Sequence, residues 1–122
     1  MVDDDPMVRD VTSQHLREIG CTVIEASSGE EALFRQAEWI EPIHLLMTDV
    51  VMPIMGGKEL AERIKVLRPE IKVMYISGYT QNIILQQGII KPGVTLLTKP
   101  FKISDLYNKV REALSIAESG LM

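Results

Sequence analysis

The sequence predicts an α/β domain of the (βα)5 kind, a parallel sheet with helices on both faces. Two observations carry that prediction. Strand-like and helix-like segments alternate along all 122 residues, with no repeat, low-complexity stretch or internal linker. Four of the strand-like runs end on chemically loaded residues: Asp3-Asp4, Asp49, Ser77 and Lys99. In an open parallel sheet ligands bind beyond the carboxyl ends of the strands, so four such ends imply one site.

Met1-Val2 is the first apolar run and leads into the acidic pair. Asp5-Pro6 reads as an N-cap followed by proline at the first helical position. The helix is expected to run to about Ile19, with Val8, Val11, Leu16 and Ile19 inward, and Gly20 stops it. Thr22-Val23-Ile24-Glu25-Ala26 reads as the second strand. Ser28 caps a helix from about Gly29 to Trp39, with Glu31 closing a capping box. His44 to Thr48 forms the third strand and delivers Asp49. Val50 to Gly57 carries Pro53 and two glycines, hence a shaped turn. Lys58 to Leu67 forms the third helix, with Leu60, Ile64 and Leu67 inward, and Arg68-Pro69 ends it. Ile71 to Ile76 is the fourth strand, Gln81 to about Gly88 the fourth helix and Val94 to Leu97 the fifth strand. Ser104 is expected to cap the last helix, in which Leu106, Val110 and Leu114 share a face.

The length fits one domain spanning residues 1–122. A net charge of −4 without a basic stripe argues against direct contact with nucleic acid. Cys21 is the single cysteine, so no intramolecular disulfide forms, and the chain suits a reducing cytoplasm. No apolar run approaches the roughly 20 residues of a membrane helix, and no signal peptide is visible.

Asp3, Asp4 and Asp49 would repel one another unless a cation sits among them. Mg²⁺ is the natural neutraliser, a hard ion that takes one or two carboxylates and keeps several waters. Lys99 adds a second positive charge. A carboxylate between a metal and a lysine can attack a phosphoryl group, while both cations stabilise charge on the transferring oxygens. The Ser77 hydroxyl can donate to one of those oxygens.

With those residues in place, the chain resembles the receiver domain of two-component response regulators. The matching motifs are Val2 to Pro6, Thr48 to Gly57, Ile76 to Thr80 and Thr98 to Phe101, in order from end to end. Ser77-Gly78-Tyr79-Thr80 and Lys99-Pro100-Phe101 look most like receivers attached to hybrid sensor kinases. The resemblance implies a flavodoxin-like three-layer sandwich with sheet order 2-1-3-4-5. It implies that Asp49 accepts a phosphoryl group from the phosphohistidine of a histidine kinase or phosphotransfer domain. Asp4, Asp49 and the Val51 main-chain carbonyl would hold Mg²⁺ directly, and Asp3 through water. Lys99 and Ser77 would contact the phosphoryl group, and the Lys99-Pro100 bond would be cis. The outcome would be a change on the face made by the fourth helix, fifth strand and fifth helix (α4-β5-α5), met by a second copy or an output partner. The domain would be a signalling element rather than a metabolic enzyme.

Four departures stand out. Leu96 occupies the place of the family's switch aromatic, three residues before the lysine. Tyr79 is bulky where small or polar residues are common. Val51 is apolar and cannot orient an attacking water. The internal first strand of the family is longer than Met1-Val2, which leads to the expectation of a shortened first strand.

Rival readings are weaker. An aspartate-nucleophile phosphatase of the haloacid-dehalogenase kind would match Asp3 and Asp5, but Met7 and the lack of late acids do not fit. A flavodoxin holding FMN needs a phosphate loop where the chain has Asp3-Asp4-Asp5. A silent receiver is at odds with intact Asp49, Lys99 and Ser77. His15 and His44 have no partner at metal-ligand spacing. Cys21, Trp39 and the seven methionines read as packing. Ile83, Ile84, Leu85, Ile89 and Ile90 make an apolar fourth helix whose surplus suits a partner.

Overall fold

A computed structural model describes residues 1–78 and 95–119. The fourth predicted helix, its isoleucines and Tyr79 lie outside these residues. The described helices are α1 (Pro6–Glu18), α2 (Gly29–Glu38), α3 (Gly57–Leu67) and α4 (Ile103–Ser119). The strands are β1 (Leu45–Asp49), β2 (Lys72–Ser77) and β3 (Thr95–Thr98), parallel and in the order β1-β2-β3.

Val2 extends this sheet. It bridges Thr48 on one side and Ala26 on the other, both in parallel sense. The Val2 N–H donates to the Met47 carbonyl at 2.8 Å, and the Asp49 N–H donates to the Val2 carbonyl at 3.0 Å. Across the sheet the sequence segments therefore stand in the order second, first, third, fourth, fifth, as the 2-1-3-4-5 topology requires. One expectation fails here. Thr22 to Ala26 does not form a strand; only Ala26 pairs. A strand exists through its ladder, and Met1-Val2 offers too few rungs to hold more of that segment.

Strand alternation sorts the core into two layers. Val2, Leu46 and Tyr75 face α2 and α3, packing with Ala32, Leu60, Ala61 and Ile64. Met1, Met47, Met74, Ile76 and Leu97 face the other way, packing with Leu16 of α1 and with Leu106 and Val110 of α4. The result is the three-layer sandwich.

Helix ends follow local chemistry. The Asp5 carboxylate accepts from the Met7 and Val8 N–H groups at the start of α1. Ser28 Oγ accepts from Glu31 N–H, and Glu31 reaches back to Ser27 N–H, so the capping box forms. The Arg68 guanidinium donates to the Gln36, Trp39 and Glu41 carbonyls, which caps the carboxyl end of α2 from the end of α3. Ser104 lies inside α4 and not before it; instead Asp105 accepts from the Lys102 N–H.

Some inward assignments are corrected. Val11 is 47% exposed and Ile19 46%, while Thr12, Ser13 and Leu16 form the buried stripe of α1. Leu67 is also exposed, and Ala61 takes its place. Met7 is exposed rather than packed.

Candidate functional site

The site lies where the first run, β1, β2 and β3 end. Asp3 follows Val2, Asp49 closes β1, Ser77 closes β2 and Lys99 follows β3. Sheet register fixes their proximity. Asp49 pairs with Ile76, Ser77 pairs with Thr98, and the Lys99 N–H donates to the Ser77 carbonyl at 2.7 Å.

Carboxylate oxygens of Asp3, Asp4 and Asp49 lie within 4.8 Å of one another. Asp3 and Asp49 are buried and Asp4 is exposed, so the cluster opens to solvent on one side. Lys99 Nζ donates to Asp3 Oδ2 at 3.1 Å and to Asp49 Oδ2 at 3.4 Å. The Asp5 N–H donates to Asp3 Oδ1 at 2.9 Å. Asp49 Oδ1 and Ser77 Oγ are buried and have no hydrogen-bond partner in the protein.

Burial raises the Asp49 pKa above its ordinary value, and the charges of Asp3 and Asp4 push it the same way. Lys99 pulls against them and does not prevail. For Lys99 itself burial disfavours the charge, yet its bonds and charge attraction to Asp3 and Asp49 outweigh burial and raise its pKa. One ammonium thus serves two buried carboxylates, with a third beside them. The donor set, its surplus negative charge and the orphaned Asp49 Oδ1 fit a hard divalent cation.

The loop between β1 and α3 is shaped around this site. The Gly57 N–H donates to the Val50 carbonyl at 2.8 Å. A Cβ at Gly57 would collide with the Asp49 carbonyl oxygen, so glycine lets α3 start directly behind the acid. Ile54 has φ 70° at the loop tip, and the Met55 N–H donates to the Pro53 carbonyl at 2.7 Å across it. That is a γ-turn of the rare kind. The Lys99-Pro100 bond is cis, as expected.

The structure thus brings together Asp3, Asp4, Asp49 and Lys99 and sets Ser77 on the adjoining strand. Val51 follows in the loop with its side chain half exposed. Sequence reasoning missed Arg9. Its guanidinium donates to the Asp3 carbonyl at 2.8 Å and lies 3.9 Å from Glu25, steadying the acidic turn from α1. An arginine one turn into a helix that starts at an acidic loop was the available signal.

A cluster of carboxylates with one lysine, at the carboxyl edge of a 2-1-3-4-5 sheet, defines a phosphoacceptor signalling domain. The profile of the response regulator receiver domain family matches residues 1–111. The chain is 33% identical over 117 residues to the response regulator receiver protein CpdR of Brucella abortus, covering 96% of each. It is also 33% identical over 114 residues to the sensor kinase CckA of Brucella abortus, there covering 93% of this chain but 12% of that protein. The receiver domain of a hybrid histidine kinase CckA superposes with a TM-score of 0.77 at 34% identity, covering 93% of this chain and 94% of that one. The chain belongs to the response regulator receiver domain family. It is a receiver of two-component signalling, and similarity to a hybrid-kinase receiver accords with the wording of its Ser77 and Lys99 motifs.

Proposed function

We propose that Asp49 is the phosphoacceptor and that Asp3, Asp4, Lys99 and Ser77 serve it. The observation that carries this reading is the Asp49 carboxylate. Its Oδ2 is held by Lys99, while its Oδ1 is buried without a protein donor. A nucleophile needs a fixed orientation and a free lone pair, and this group has both. The donor is a phosphohistidine on a histidine kinase or phosphotransfer domain. An Asp49 oxygen attacks phosphorus, the P–N bond breaks, and the electron pair stays on the imidazole. Asp4, Asp49 and the Val51 carbonyl hold Mg²⁺, with Asp3 acting through water. When bound, that ion offsets charge on the transferring oxygens. Lys99 pairs with the phosphoryl group after attack, and the buried Ser77 hydroxyl donates to it, which gives its orphaned oxygen a partner. The domain thereby takes part in its own phosphorylation and dephosphorylation and changes the α4-β5-α5 face of the family for an output partner or a second copy. A cytoplasmic place suits this chemistry, and among the described residues no helix is long and apolar enough to cross a membrane.

Incubation with acetyl phosphate and Mg²⁺ tests the assignment by intact mass. The expected result is one added phosphoryl group on the native chain and none on Asp49→Ala. The same gain on Asp49→Ala would refute it. Lys99→Ala should keep the fold, since it removes a charge contact and no core packing, but lose most of the phosphorylation rate.

A further inference from the structure

A cavity of about 420 Å³ lies at the opposite, amino-terminal end of the sheet. Its walls include Val23 and Ile24 on one side and Leu45 and Met47 on the other, with Leu16 and Val110 across it. Met1 stands at its edge. We infer that this cavity is a strand slot: it takes an extended apolar segment, peptide-linked to Met1, that runs between residues 22–26 and β1.

Three independent observations support that occupant. The first is the ladder. The Asp3 N–H donates to the Ala26 carbonyl and the Ala26 N–H to the Met1 carbonyl, and the Met1 amino nitrogen donates to the Ile24 carbonyl at 2.8 Å. On the other side Val2 bonds Met47 and Asp49. A parallel ladder repeats every second residue, so its next rungs would use the Ile24 N–H and Thr22 carbonyl and the Met47 N–H and Leu45 carbonyl. Those groups border the cavity. The second observation is residues 22–25, which have strand-like sequence and no strand partner. The third is the lining, whose side chains from both layers are apolar and ready for alternating apolar partners. The burial that lowers the Met1 amino group to about 5 agrees with this, because an amide N–H suits that position better than an ammonium.

Filling the slot fixes Val2 and hence Asp3 and Asp4, which follow it. The test uses stability without metal, so its result does not depend on the phosphoacceptor reading. Four residues, Val-Ile-Val-Leu, are fused ahead of Met1, and Asp-Ser-Gly-Asn serves as the matched control. In EDTA the apolar fusion should melt about 5–10 °C above the control. Its Ile24 and Met47 amides should exchange at least about tenfold more slowly. Thiol labelling of Cys21, which also lines the cavity, should slow in parallel and can be read on whatever protein is soluble. Val23→Asp in the apolar fusion should cancel the gain. Equal melting of the two fusions, or unchanged exchange and labelling, would overturn the slot. So would stabilisation by the free tetrapeptide without any by the fusion.

Discussion

Asp49 concentrates the conflict that the site is built on. Its raised pKa, caused first by burial, means that the folded chain holds the proton more tightly than the unfolded one. The stability this group contributes is present in acid, below the ordinary carboxylate range, and is lost as pH rises through the raised folded value. At neutral pH without a divalent cation its charge therefore opposes folding. Asp49→Asn should raise the unfolding midpoint at pH 7 in EDTA, by on the order of 1 kcal/mol. Lys99 keeps Asp3 at 3.1 Å, so the variant leaves no unpaired ammonium. The gain should shrink as pH falls into the carboxylate range, where the native residue is protonated too. Denaturant melts at a series of pH values measure it, and a pH-independent difference would contradict the account. The chemistry of these residues was legible from sequence because type and strand-end position sufficed. The inward face of α1 was not. Apolar character pointed to Val11 and Ile19, yet the sheet covers Thr12, Ser13 and Leu16. Small residues there let α1 lie close, and a hydrophobicity pattern undervalues them.

Elements were read well wherever local chemistry ends them. Asp5-Pro6, Ser28 with Glu31, and Gly20 at φ 96° set helix ends that the structure reproduces. Ser104 failed because Ser-x-x-Tyr lacks the reciprocal acid, whereas Asp105 can reach Lys102 N–H. The segment 22–26 failed for a non-local reason, the number of rungs its neighbour supplies. At this scale Gly57 gives a sharp prediction. Gly57→Ala must push the start of α3 off the Asp49 carbonyl, a backbone atom that cannot yield cheaply. The expected cost is about 2–4 kcal/mol of stability, with slower phosphorylation because the Asp49 main chain shifts. Gly56→Ala meets only the Val50 carbonyl, at 3.1 Å, and should cost less than half as much. Denaturant unfolding of the two variants decides, and equal costs would mean that the close approach of α3 is not what requires Gly57.

For the whole molecule, the acidic cluster makes metal binding and folding one equilibrium. The three carboxylates belong to segments that begin the chain and end β1, and Lys99 comes from beyond β3. Only the folded sheet brings them together, so the unfolded chain offers no comparable cation site. A ligand that binds the native state alone adds RT ln(1 + [L]/Kd), or about 1.4 kcal/mol at ten times Kd. For a domain of this size that is a rise of about 5–10 °C in Tm. Mg²⁺ also removes the repulsion that makes the Asp49 charge costly, so the metal should flatten the pH dependence found in EDTA. Asp4→Asn takes away a ligand that is exposed and packs against nothing. Its melting in EDTA should match that of the native chain, while its response to Mg²⁺ should be much smaller. A thermal series in Mg²⁺ and in EDTA, for the native chain and Asp4→Asn, separates the two effects. If Mg²⁺ raises both proteins equally, the ion acts elsewhere on this acidic surface, and the cluster is not its site.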